Sequence, residues 1–156
     1  MKTRQEFMQS HYAHVMECYA KDKKVLSHAV LRLKDGEVYG LFLGLLKDSE
    51  QIGASVRGFV KKLKPKLDAV LLVTPAWAVK SKKGEAIDLE VKPSQNPDRI
   101  DSIVFNFETA EEILIRVVEV KEGAVVAEGK WNGVSGASYG TLLNFGLFDN
   151  SRGMYG

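Results

Sequence analysis

Several short patterns in this 156-residue chain carry residue types that could do chemistry. Glu90, Val91 and Lys92 have the acid-x-lysine form, in which a carboxylate holds a metal ion and the lysine polarises a phosphate or a water. Asp68 or Asp88 could supply the second carboxylate of a metal-dependent nuclease. The same spacing recurs at Asp22 and Lys24, Glu119 and Lys121, and Glu128 and Lys130. Chance alone gives about two such triplets from 20 acids and 16 lysines, so the pattern is unspecific. Asp88, Glu90 and Lys92 also form the polar side of an alternating strand, and a solvated strand face is the simpler reading.

His11, His14 and Cys18 fall at i, i+3 and i+7, so one helix face could carry all three, and zinc accepts such nitrogen and sulfur ligands. A site needs a fourth ligand or an open position, no second His/Cys cluster exists, and the remaining histidine is His28. No bound metal and no cofactor are expected. A G-x-S-x-G elbow is missing, as are Walker-type and G-x-G-x-x-G loops, so the chain carries no motif for nucleophilic catalysis or nucleotide binding. These absences point away from an enzyme.

Charge is unevenly laid out. Residues 1–83 hold 16 basic against 8 acidic side chains, and residues 84–156 hold 6 against 12, which returns the overall +2. Such halves suit either an anionic partner or complementary surfaces that meet within or between chains. Lys61, Lys62, Lys64 and Lys66 form the densest basic run, and Lys80, Lys82 and Lys83 follow around a hairpin tip. Together they are candidate phosphate contacts, with Tyr39, Trp77 and Tyr139 as stacking faces, in a nucleic-acid-binding alternative. Lysines at the end of a helix also suit its dipole without any ligand.

The elements that must position these residues follow from hydrophobic period. Residues 7–19 read as a helix with Met8, Tyr12, Val15, Met16 and Tyr19 on one side. Residues 25–34 and 37–46 alternate around Asp35-Gly36, a hairpin signal whose type I′ turn requires positive φ at both central residues. Asp48 or Ser49 can cap a second helix, in which Ile52, Val56, Phe59, Val60 and Leu63 share a face and which Pro65 ends. Five strand-like runs follow. The first covers 69–73, is bulged or at an edge at Pro75, and resumes at 77–80. The others centre on Ile87 to Val91, Ile103 to Phe107, 113–120 and 124–131. The expected class is α+β in the order α-β-β-α-β-β-β-β-β: six to seven mostly antiparallel strands, with two helices covering one face. One domain spans 1–131, and a glycine-rich, apolar tail spans 132–156, able to pack in cis or to reach another subunit.

Within residues 69–108 an apolar strand ends in Ala76-Trp77, a loop carries Pro93-Ser94 and then Pro97-Asp98-Arg99, and a further apolar strand follows. This arrangement resembles an uncharacterised family of small phage and prokaryotic proteins. The resemblance implies a phage-like origin and no particular activity. Physically, Pro97-Asp98-Arg99 makes a rigid turn in which Asp98 caps backbone amides and Arg99 pairs with a carboxylate. Trp77 beside that loop is the expected wall of any small ligand site, so Trp77, Asp98 and Arg99 are the candidate ligand-binding residues.

Composition sets the frame. With 45% apolar and 27% charged residues the chain is ordinary for a globular protein, and no apolar run reaches the roughly 20 residues of a membrane span. The start of the chain lacks the apolar core of a signal peptide, and a single cysteine, Cys18, makes no internal disulfide, so a cytoplasmic setting is expected. The leading expectation is a non-enzymatic domain that works by homo-oligomeric assembly or by binding a protein partner.

Overall fold

The computed structural model describes residues 3–44, 49–63, 66–79 and 99–133, with side chains for all of these except 49–50, 77–79 and 99. Helix α1 (Arg4–Asp22) is longer than the apolar period alone implies because a capping box starts it. The Glu6 amide donates to Thr3 Oγ1 at 3.1 Å, and the Thr3 amide donates back to Glu6 Oε1 at 3.2 Å. Its end is set by Lys23, which takes a left-handed conformation (φ 59°) and donates its amide to the Tyr19 carbonyl.

Strands β1 (His28–Leu33) and β2 (Val38–Phe42) form the expected hairpin, but its turn differs from the expected type. Three residues, Lys34 to Gly36, separate Leu33 from Glu37, and of these Gly36 alone has positive φ, at 94°. Leu33 donates to the Glu37 carbonyl and Gly36 donates to the Leu33 carbonyl, while Asp35 accepts from the Glu37 amide. This is the three-residue loop with a left-handed glycine rather than a two-residue I′ turn. Positive φ at two successive residues is found instead at Glu122 (52°) and Gly123 (84°).

Helix α2 (Ser49–Leu63) leads to β3 (Leu67–Val79), a single 13-residue strand that runs through Pro75 without interruption. Pairing with β1 stops at Val73, so Pro75 lies where that side of β3 is already an edge, and its missing N–H costs no bond there. An antiparallel meander follows: β4 (Arg99–Thr109), β5 (Ile113–Lys121) and β6 (Ala124–Glu128), with the two-residue β7 (Asn132–Gly133) also on β5. The seven-stranded sheet is ordered β2-β1-β3-β4-β5-β6. The expected strand around Ile87, Leu89 and Val91, the loop at 93–97 and the tail beyond residue 133 lie outside the described residues.

The expectation that both helices cover one face is corrected by the packing. Phe7, Met8, Tyr12, Val15 and Tyr19 of α1 pack on Val30, Ala69, Leu71, Val73, Ile103, Phe105, Phe107, Val118 and Val120. Ile52, Val56 and Val60 of α2 pack on Ala29, Leu31, Leu33, Val70 and Leu72. Neighbouring strand residues point to opposite faces, so the helices lie on opposite sides of the sheet. A sheet covered on both faces explains why β1 is buried at every position except His28 and why β3 is apolar throughout residues 69–73. At the end of the sheet where α1 begins, Arg4 and the buried Arg32 both pair with Asp68, and Arg4 also reaches Glu111 at 2.8 Å. This ion-pair cluster ties the helix start to β1, β3 and the β4–β5 connection.

Candidate functional site

Helix α1 crosses its face of the sheet over β1, β3, β4 and β5 and leaves β2 uncovered. Between the side of α1 and this edge strand lies a groove of about 510 Å³. His11, His14 and Cys18 form its helical wall, the 24–26 connection closes one end, and Val30, Gly40 and Phe42 line the sheet side. Gly40 keeps the floor open, since a Cβ there would meet nothing within 4 Å.

The fold brings His28 of β1 to the helical histidines, which spacing within one helix could not reveal. His11 and His28 face each other with their Nε2 atoms 2.8 Å apart and their rings edge to face at 5.1 Å. The Leu26 carbonyl lies 2.8 Å from His28 Nδ1 and so accepts its N–H. Neutral His28 then offers a bare Nε2, and His11 Nε2–H is the donor in the pair. A gap of this width holds one proton. Burial pushes the His11 pKa down from 6.5 to about 4, with further lowering from His28 and then His14. Neutral His11 is therefore the ordinary form at pH 7. His14 Nε2 sits 3.7 Å from Cys18 Sγ. Among the described residues no group of three or more His, Cys, Asp or Glu side chains is placed to hold a metal ion.

Along β2 every residue except Leu41 is exposed. Val38 (52%), Tyr39 (42%) and Phe42 (60%) are large apolar side chains open to solvent, with Leu26 (50%) beside them. Tyr39 donates to Glu37 Oε2 at 3.1 Å, which holds the phenol proton and raises its pKa. No described strand pairs with the outer side of β2. Adjacent exposed apolar side chains on an unpaired edge mark an interaction surface more than isolated ones do. The sequence signal was the uncharged run Val38-Tyr39-Gly40-Leu41-Phe42, legible as a strand but not as an edge.

The other candidates fall as follows. Asp68 pairs with two arginines, Arg4 and Arg32. Asp88, Glu90 and Lys92 lie outside the described residues. Lys61 and Lys62 are exposed in the last turn of α2, and exposed Lys66 follows; Lys64, Lys80, Lys82 and Lys83 lie outside the described residues. The Lys34 amide donates to the Lys66 carbonyl at 2.8 Å, which brings exposed Lys34 to the same end of the sheet. Register pairs Trp77 with Asp101 and Val79 with Arg99, so Trp77 and Arg99 are diagonal neighbours on adjacent strands. Their side chains, and all of Asp98, lie outside the described residues.

Tyr12, Trp131 and Arg116 form a different cluster, with the two rings edge to face and their centres 6.2 Å apart. The Arg116 guanidinium lies 3.9 Å from the Tyr12 ring centre and 5.9 Å from that of Trp131, and Arg116 Nε donates to the Gly129 carbonyl. Tyr12 donates its hydroxyl to Glu128, and burial followed by this bond pushes its pKa up to about 12. The cluster locks α1 to β5 and β6. Comparison with protein-family models, curated proteins and solved structures finds no match to the chain. Among the described residues no helix is long and apolar enough to cross a membrane.

Proposed function

We propose that this chain is a non-enzymatic assembly domain that acts by binding a protein partner along the open β2 edge. The observation that carries the reading is β2 itself, an edge among the described strands that presents Val38, Tyr39 and Phe42 to solvent beside a groove. Such an edge offers a row of backbone donors and acceptors, and strand addition satisfies them while the side chains set specificity. The engagement of Asp68 by Arg4 and Arg32 supports the non-enzymatic side of the reading. The test is multi-angle light scattering of the wild type and the Val38→Lys/Phe42→Lys double variant from low micromolar concentration upward. Both side chains are more than half exposed, so the variant keeps the wild-type melting temperature within a few degrees. The expected result is concentration-dependent association in the wild type and its loss in the variant. Association equally strong in both would place the contact elsewhere.

One observation favours a second reading, nucleic-acid binding: Lys34, Lys61, Lys62 and Lys66 are exposed at one end of the molecule. Fluorescence anisotropy with labelled DNA and RNA tests it. Binding that falls steeply with salt, and that falls again in a Lys61→Ala/Lys62→Ala variant, would support this reading. Salt-independent or absent binding would remove it.

A further inference from the structure

We infer that the occupant of the β2 edge is the β2 strand of a second copy of this chain, paired antiparallel about a two-fold axis at Gly40. The inference rests on the assembly reading above and names its partner and register. Hydrogen bonding within the hairpin fixes which amides point outward. Leu33 donates to the Glu37 carbonyl and Leu43 donates to the Ser27 carbonyl, with Leu31 opposite Tyr39 and Ala29 opposite Leu41 between them. Antiparallel pairs alternate between bonded and non-bonded, so residues 37, 39, 41 and 43 turn their amides toward β1. Val38, Gly40 and Phe42 therefore turn both N–H and C=O away from the sheet.

An axis at Gly40 sets Gly40 opposite itself and Val38 opposite Phe42 of the other copy, twice. All three outward residues of each strand are then bonded, giving six N–H···O bonds across the joint. Moving the axis to Tyr39 or Leu41 leaves two of these three pairs. Side chains agree with the same centre. Val38 and Phe42 share the α1 side and meet each other across the joint at the mouth of the groove, while Tyr39 meets Leu41 on the other side. Residues 38–42 carry no charge, so the self-pairing brings no like charges together. A patch complementary to itself is what a closed two-fold dimer requires.

The opposite edge lacks these properties. Register against β5 shifts between Glu119 and Val120, leaving Val126 as an extra residue in β6. Glu128 closes that strand, and Lys121, Glu122 and Lys130 flank it. Bulges and charges within a strand are how sheet edges avoid pairing, and β2 has neither along residues 38–42, although Glu37 stands immediately before it.

The test uses the full chain with Cys18→Ser and one new cysteine, Gly40→Cys or Val126→Cys, treated with a short bismaleimide. A side chain at position 40 meets nothing within 4 Å in its own protomer, and wild-type sedimentation is run in parallel. Facing Cα atoms of a bonded antiparallel pair lie about 5.5 Å apart, within reach of the linker. The expected result is a wild-type dimer, with cross-linking at position 40 more than about tenfold faster than at position 126, since paired sites have a high effective concentration. A wild-type dimer that cross-links at 126 and not at 40 would overturn the β2 pairing and leave the assembly reading standing. A wild-type monomer at every concentration, with slow cross-linking at both sites, would overturn the second copy as occupant.

Discussion

Replacing His11 by glutamine should flatten the acid dependence of stability, and the size of the effect follows from the groove geometry. In the folded chain His11 donates its one ring proton to His28, and burial lowers its pKa from 6.5 to about 4. Unfolded, the same imidazole binds a proton near its ordinary pKa. Between these values the unfolded state holds more protons, so stability is complete above about pH 6.5, falls as the pH drops, and levels near pH 4. The full interval corresponds to at most about 3.4 kcal/mol at about 1.36 kcal/mol per pH unit. His11 is only half-buried, and solvent screening reduces this to roughly 1.5 kcal/mol. His14 and Cys18 on α1, Asp22 at its end, Lys24 on the connection and His28 on β1 share the groove and are unchanged in the variant. The assay is urea unfolding of wild type and His11→Gln at pH values from 7.5 to 4, read as the difference between the two curves. The wild type should lose about 1.5 kcal/mol relative to the variant over that range. Parallel curves would refute the reasoning, because the pair would then contribute nothing that depends on its proton.

Three further outcomes follow from the packing. Asp68→Asn removes the carboxylate charge that pairs with buried Arg32 and with Arg4 and should cost about 3 kcal/mol, whereas Arg4→Ala, at a more exposed guanidinium, should cost less than about 1 kcal/mol; chemical denaturation of both variants compares them. Phe105→Ala empties a fully buried site beneath Tyr12 and Trp131 and should cost about 3–5 kcal/mol, read by the shift in denaturation midpoint. Carbon-13 tyrosine NMR should show Tyr12 ionising near pH 12, and Glu128→Gln should move that step only part of the way toward 10.0, because burial is the larger cause.

Strands and helices were legible because their apolar positions follow period 2 or period 3.6. Ile103, Phe105 and Phe107 alternate as they do in β4, and Ile52, Val56 and Val60 recur as they do in α2. Which sheet face each helix meets was not legible, since helical period says only which side of the helix is apolar. The two-sided cover shows in the sequence only as the unbroken apolar run of residues 69–73, a signal that also fits other buried strands. Pro75 marked a bulge or an edge, and β3 runs through it on the side where pairing with β1 has already ended. The histidine groove was half legible. Spacing placed His11, His14 and Cys18 on one helix face, but His28 joins them only through the packing of α1 on β1. Trp77 was read at a strand end beside the loop that carries Arg99, and strand register makes the two residues diagonal neighbours.

Amide hydrogen exchange along β2 tests the central claim most directly. The Tyr39 and Leu41 amides face β1, so they should be protected at every concentration and serve as an internal reference. Val38, Gly40 and Phe42 amides should be protected in concentrated solution and lose that protection on dilution, as the joint between two copies opens. Exchange of these three at unprotected rates at every concentration, with Tyr39 and Leu41 still protected, would contradict pairing through the β2 edge.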